Sequence, residues 1–391
     1  MQQSSAWDTL EGLLLKQKIH PGRRKLLVVV TAGTVAVAAG AMGVAATYAR
    51  GLSNYKTIIR TTWRNGDIVD GSWITKQREL VRYATLAANS HNTQPWRFRI
   101  LDRSVMVLPD IRRRLPAVDP DNHHLFASLG CAVQNMVEAA PSLGLRAVPT
   151  YDVAAQGIRV DLESAPHART GLFNAVPHRQ STRTVYDGRP VPPEHLTLLQ
   201  AAGSGPAVRM LLFTEQRDRE KILSYLIAGN DAQMRDMAFV KELKSWIRFS
   251  YQEALSTRDG LFAKSSGSPV LPSFVGPSMF RFAFTRESEN KKYVSHLRSS
   301  AGVVVFVSQN NSAVGWTEAG RCCQRFALQA TALKIRHAFI NQPVEVPAVR
   351  GQFATYLGIS GQRPNLVMRF GYGAELPKSL RRPVEQVIFT S

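Results

Sequence analysis

The sequence predicts an α+β fold, an α/β sandwich whose unit occurs twice in one chain. The first observation is a self-match. Gly130, Gln134, Ala140, Leu143 and Arg146 recur at one offset as Gly320, Gln324, Ala330, Leu333 and Arg336, with mostly apolar residues between them in both copies. The second is the order of elements. Each copy reads as helix, strand, strand, buried helix, strand, an alternation that suits a layered α+β unit. The third is composition: of 391 residues, 44% are hydrophobic and 20% charged, enough apolar material for a core of ordinary size. Two like units in one chain suggest a fused dimer with a pseudo-twofold axis, working as a monomer.

Residues 1–50 are expected to form a targeting signal or membrane anchor. Leu26 to Ala49 carry no charged side chain, a run long enough for an apolar helix to cross ~30 Å of hydrocarbon. The segment Gly22-Arg23-Arg24-Lys25-Leu26-Leu27 resembles a twin-arginine export signal, with Gly22 where Ser or Thr is usual. Ala39-Gly40-Ala41 fits the small-residue rule for cleavage but sits inside the run, so cleavage and retention both stay open. The expected placement is membrane-anchored or exported, with the body outside the cytoplasm; a body on the cytoplasmic face is the alternative.

The first half is expected over 66–170. Its helix spans Gln77 to Ala88, with Leu80, Val81, Ala84, Ala87 and Ala88 on one face. A polar loop, Asn89 to Pro95, leads into a strand at Arg97–Ile100, and a second strand follows at Val105–Leu108. The second half is expected over 171–391, with its paired strand at Val303–Val307. A smaller offset upstream, Ala87 matching Ala201, implies an insertion of about 76 residues in this copy. It is placed near 234–284, as a helical part from Phe239 to Leu255 followed by a Gly/Ser/Pro-rich part bearing Phe274, Met279, Phe280 and Phe282. A long aromatic excursion is either a lid or partner surface, or a loop that covers core.

The formal net charge is +20, a field that favours nucleic acid, lipid head groups or phosphate-bearing cofactors. The Lys and Arg residues are scattered and form no long basic block with interleaved aromatics, so nucleic acid is not an expected partner. Cys131, Cys322 and Cys323 form no zinc pair or disulfide framework and read as small buried apolar residues. Asp119-Pro-Asp-Asn-His-His124 has metal-ligand residue types at a spacing that matches no standard site; it reads as a polar turn capping the next helix, and no metal is expected. There is no Gly-rich dinucleotide fingerprint and no P-loop.

Asn89-Ser90-His91-Asn92-Thr93-Gln94 packs small amides and hydroxyls between a helix and a strand. Such a loop either offers donors and acceptors to a flat heterocycle or is a capped turn under Trp96. Leu86-Ala-Ala-Asn-Ser-His-Asn-Thr-Gln-Pro-Trp-Arg-Phe98 resembles the flavin-contacting loop of the nitroreductase superfamily, with Ala88 and Asn89 replacing its usual Pro and Ser. His91 is similar to the Acg-like branch, whose members have doubled length. The family's Arg-Xaa-Ser-Xaa-Arg signature is matched in the second half by Arg179, Ser181 and Arg183, followed by Pro190-Val-Pro-Pro193. Its terminal Gly-Tyr strand and basic pair are matched by Gly371-Tyr372 and by Arg381 and Arg382.

The resemblance implies FMN as cofactor. It implies that Arg179, Ser181, Arg183, Arg381 and Arg382 hold the phosphate and tune the ring, and that Asn89, Ser90, His91, Asn92 and Gln94 frame its other side. Arginine suits phosphate because its fork takes two oxygens at once. The first half lacks the arginine signature, and the second half's equivalent loop has shrunk to Gly203-Ser-Gly-Pro-Ala207, so one complete site is expected per chain. No side chain reads as a catalytic acid, base or nucleophile, as expected where a flavin carries the hydride chemistry. The implied activity is electron transfer from NAD(P)H, or a quinol-type donor, to a nitro, quinone or related acceptor. Two alternatives stand beside it: a protein that sequesters FMN without turnover because the insertion closes the site, and an empty degenerate fold.

Overall fold

The computed structural model describes residues 43, 45–66 and 71–389. The twin-arginine-like segment and most of the apolar run 26–49 lie outside the described residues. Among the described residues no helix is long and apolar enough to cross a membrane. The chain divides into two compact units, 1–54 and 55–391. The described part of the first is helical. The second begins with a helical stretch through residue 62 and holds every element below.

Helix α1, Trp73–Thr85, starts at Ser72, whose hydroxyl accepts from the Thr75 amide, the usual N-cap arrangement. Its buried face, with Leu80, Val81 and Ala84, meets strands β1 (Trp96–Ile100) and β2 (Ser104–Pro109). The Gln77 amide donates to the carbonyls of Leu101 (2.6 Å) and Ser104 (3.2 Å), fixing the β1–β2 hairpin to the helix. Helix α2, His123–Ala139, follows, then β3 (Leu145–Asp152) and β4 (Gly157–Ser164). Asp119 accepts from the amides of His124 (3.0 Å) and Leu125 (2.9 Å), so the polar turn closes the first turn of α2 with a carboxylate, where the helix dipole favours one. A short helix α3, Gly171–Ala175, ends the segment.

The next elements are α4 (Pro193–Gly203) and β5 (Val208–Phe213). After a long excursion come β8 (Gly302–Ser308), α10 (Ala313–Ala332), β9 (Arg336–Phe339), α11 (Gln342–Glu345), α12 (Pro347–Tyr356), β10 (Pro364–Gly371) and α13 (Val384–Val387). The excursion, 214–301, holds α5 (Gln216–Arg235), α6 (Met237–Ser245), β6 (Ile247–Arg248), α7 (Tyr251–Thr257), β7 (Leu261–Phe262), α8 (Gly276–Ala283) and α9 (Arg286–Arg298). The single helix expected over Phe239–Leu255 is broken. Ile247 and Arg248 pair with Leu261 and Phe262 in a two-stranded ribbon, and Ser250 starts a new helix through a capping box with Glu253.

Two antiparallel sheets result, ordered β1-β2-β4-β3 and β5-β8-β10-β9. Matched strand by strand in chain order, the two orders are the same. The first sheet is covered on one face, and its outer face carries Arg97, Arg99 and Arg159. The second is covered on both. Val304, Phe306 and Met368 meet α10, while Val303, Val305 and Val367 meet α5, α9 and α12, which is why β8 and β10 are buried at every position. Helices α2 and α10 cross between the sheets at two glycines. A Cβ on Gly130 would stand 2.0 Å from the Thr317 carbonyl oxygen, and one on Gly320 would stand 2.0 Å from that of Ala127. Gln324 donates to Asn135 (2.8 Å) across the same crossing.

Candidate flavin-type site at the junction of the two sheets

The loop after α1 is shaped by two buried arginines. A helix end leaves carbonyls without partners. Arg381 donates to the carbonyls of Thr85 (2.6 Å) and Ala87 (3.3 Å), and Arg179 to that of Leu86 (3.0 Å); cations are favoured at this end of a helix. Arg381 also donates to Asn92 Oδ1 (2.6 Å). The Asn92 amide reaches the carbonyls of Gly260 and Leu380. Gln94 spans the Arg258 carbonyl (2.9 Å) and the Arg382 amide (2.8 Å). Between these anchors the backbone is forced into left-handed conformations, with φ of 47° at His91, 54° at Asn92 and 52° at Gln94, each costing on the order of 1 kcal/mol.

The anchored loop presents Asn89, Ser90 and His91 to a cavity of about 450 Å³, a size typical of cofactor sites. Arg183 lines the same cavity from the segment after α3. Arg369, itself 1% exposed, donates to the carbonyls of Thr182 (3.2 Å) and Thr184 (2.7 Å), gripping the backbone on either side of Arg183. Among the described residues the Arg183 guanidinium has no hydrogen bond or ion pair. Burial pushes its pKa down, yet an arginine stays charged.

Other positions expected at the site lie behind this wall. Asn92, Gln94 and Arg381 spend their polar atoms on the loop anchors, whereas Arg382 meets Gln94 only through its backbone amide, donates its Nη2 to the Gln386 carbonyl (2.9 Å) and leaves its Nη1 without a partner. Ser181 pairs through its backbone with His337. Arg179 is 3% exposed, and its Nε and Nη1 have no partner. Burial lowers Arg179 to about 10 and Arg381 to about 9, and each is further lowered by a neighbouring arginine's charge. Lys378, beside both, is lowered to about 7, chiefly by burial and then by Arg179. The only carboxylate close to this group of cations among the described residues is Glu375, which pairs with Arg336 at 3.0 Å.

The excursion supplies the apolar wall. Phe239, Leu243, Phe249, Met279, Phe280 and Phe284 face the cavity, with Phe280 and Phe284 stacked at 4.5 Å. It is fastened to the α1–β2 region by Asp259, which binds Arg248 (2.7 Å) and Arg113. Burial alone would raise the Asp259 pKa; hydrogen bonds from the two arginines hold it below the usual range. Near the far end, burial pushes His296 down to about 3 and Glu345 up to about 7. Sequence reasoning missed Arg369 and Glu345, which sit in no motif and reach the cavity only through the fold, and it read His124 only as part of a capping turn. The aromatic excursion was the one signal of the lid-like wall.

No protein-family model matches the chain. A Mycobacterium tuberculosis protein provisionally named an NAD(P)H nitroreductase is 25% identical over 325 residues, covering 80% of this chain and 90% of its own. A second from the same organism, provisionally named NAD(P)H nitroreductase acg, is 23% identical over 336 residues, covering 79% of this chain and 94% of its own. A solved nitroreductase with bound FMN from Desulfitobacterium hafniense is 14% identical over 57% of this chain and 100% of that chain, with a TM-score of 0.36. Over about four-fifths of its length the chain is similar in sequence to these two Mycobacterium tuberculosis proteins named as nitroreductases, and the loop at 86–98 and the Arg179–Arg183 segment carry the motifs by which it resembles the nitroreductase superfamily.

Proposed function

We propose that the chain is an FMN-dependent oxidoreductase of nitroreductase type, with one flavin per chain. The observation that carries this is a single cavity lined by Asn89, Ser90 and His91 on one wall and by the unpartnered Arg183 on another. The residues fit the cofactor. Arg183 offers a fork without a protein partner, the loop offers amide and hydroxyl groups, and the aromatic wall suits a flat ring. When bound, FMN supplies the hydride chemistry, taking electrons from NAD(P)H or a quinol-type donor and yielding them to a nitro, quinone or related acceptor. The chain's own residues do the rest. Arg183 binds negative charge, Arg369 holds Arg183 in place, Arg381 and Asn92 fix the loop, and the phenylalanines exclude water.

The division into a first half, 66–170, and a second half, 171–391 with its excursion, belongs to the same reading, as does an internal pseudo-dimer. The two matching strand orders and the paired glycines at the α2–α10 crossing support it. Residues 26–49 would tether or export this unit, and fractionation of cells with and without that segment tests the point.

One observation favours a second reading: the excursion forms much of the cavity wall and is latched by Asp259. In that reading FMN is held and kept from turning over. The purified protein should show a flavin absorbance band. Arg183→Gln should weaken FMN binding about 10- to 100-fold, the loss of a charge-assisted contact of about 1.5–3 kcal/mol. Steady-state NAD(P)H oxidation by loaded protein separates turnover from sequestration, and absence of any bound flavin refutes both.

A further inference from the structure

A second cleft, of about 230 Å³, lies behind the cavity and is lined by Asp119, Asp121, Arg350 and Arg363 among others. Exposed Pro120, Asp121 and Pro347 at its rim bring it to the surface. Two side chains line both spaces: His124 of α2 and Glu345 of α11. They are the partition between the main cavity and the outer cleft. His124 Nε2 stands 3.5 Å from Glu345 Oε1 but makes no hydrogen bond. Burial lowers His124 to about 3 and raises Glu345 to about 7. Both shifts oppose charge, so the contact is one between a neutral ring and a carboxyl that takes and gives a proton near neutral pH, and not an ion pair. The other Glu345 oxygen accepts from the Gln233 amide at 2.6 Å.

On the reading of the site as an electron-transfer centre, we propose that Glu345 is the proton donor to the bound acceptor and is reprotonated from water through the outer cleft. The proposal rests on that functional reading. The step balances for a quinone-type acceptor. A dihydronicotinamide loses a C–H bond as hydride, and the acceptor gains that electron pair and proton overall. The Glu345 O–H bond breaks to supply the second proton, giving quinol and oxidised nicotinamide. The carboxylate then takes a proton from water on the Asp119 side. Gln233 and His124 are positioning residues that hold the carboxyl in the partition. The charged or titratable groups facing Glu345 are His124, Asp119 and Asp121 from α2 and its approach, Tyr293, Glu289 and Lys292 from α9, Arg350 from α12, and Arg363. Of these Asp119 further raises the carboxyl, and Lys292 is already paired with Glu289. Positioned proton donors contribute about 10²- to 10⁴-fold to a rate.

The test uses full-length, FMN-loaded protein reduced with dithionite and reoxidised by a soluble benzoquinone in stopped flow across pH 5–9. Wild type should reoxidise with a rate that falls as pH rises through about 7. Glu345→Gln should be at least tenfold slower below pH 7 and flat with pH, with FMN affinity within twofold of wild type. Gln233→Met removes a bond to the ionised carboxyl and should move the midpoint upward, a shift that a merely structural role would not produce. Independently of turnover, the infrared spectrum should contain a carboxylic C=O band that titrates near neutral pH and is missing in Glu345→Gln. Variants that bind FMN and keep the wild-type rate and pH profile overturn the proposal and leave the functional reading intact. Failure of the loaded wild type to reoxidise also overturns it. A wild type that binds no FMN overturns both.

Discussion

Replacing Gly130 with alanine tests how closely α2 and α10 are packed. The added Cβ would meet the Thr317 oxygen at 2.0 Å, its carbonyl carbon at 2.8 Å and the Arg321 amide nitrogen at 3.1 Å. Carbon and oxygen rest no closer than about 3.3 Å, so α2 and α10 must separate by about 1 Å. The obstructing atoms are backbone, and no side chain can rotate away. The separation loosens contacts of Leu129, Ala132, Phe326 and Leu328. Overpacking of this kind costs about 3 kcal/mol, against about 1 kcal/mol gained by placing alanine in a helix. The net loss of about 2 kcal/mol should lower Tm by roughly 4 °C in a chain of this size. Gly320→Ala meets the Ala127 oxygen at the same 2.0 Å and should behave alike. Gly351, in α12, has nothing within 4 Å of its would-be Cβ, so Gly351→Ala should gain about 0.5–1 kcal/mol. Differential scanning fluorimetry on the three variants gives the comparison. A Gly130→Ala protein that melts at or above wild type refutes the close crossing.

Arg381→Met removes the donor shared by the Thr85 and Ala87 carbonyls and Asn92 Oδ1. Stranding those buried acceptors should cost about 3 kcal/mol and weaken FMN binding by disordering the loop, measurable as faster amide exchange over 86–94. Acid should destabilise the fold through its neutral histidines. Burial holds His91 at about 4, and His124 and His337 at about 3. With folded values below the unfolded 6.5, the unfolded chain binds more protons, so their stability is present above pH 6.5 and is lost progressively from there down toward pH 3. Urea midpoints should therefore fall between pH 6.5 and 4, and a flat profile in that window would count against neutral buried histidines.

Much of this fold is legible in the sequence. Local periodicity marks α1 and the internal repeat marks α2 and α10; the close crossing of those two helices explains why glycine stands at both Gly130 and Gly320. The loop at 89–91 and Arg183 meet in one cavity. Other roles needed the fold. An arginine's neighbours cannot be read from a motif, and Arg179 and Arg381 turn toward the end of α1 instead of lining the cavity. Arg369 reaches the Arg183 segment only because β10 carries it there. Glu345 ends the short helix α11, and only the fold sets it between the main cavity and the outer cleft. The break in the expected 239–255 helix reflects a tertiary pairing, Ile247–Arg248 with Leu261–Phe262, that outweighs local helical preference.

On the proposed reading, two matching halves retain complementary parts of one site. The most direct measurement is the flavin-to-protein ratio of fully loaded, purified chain, from flavin absorbance after denaturation against amino-acid analysis. One FMN per chain is expected in the saturated wild type, with Arg183→Gln needing about 10- to 100-fold more FMN to reach it. A ratio near two in the saturated wild type would contradict that reading.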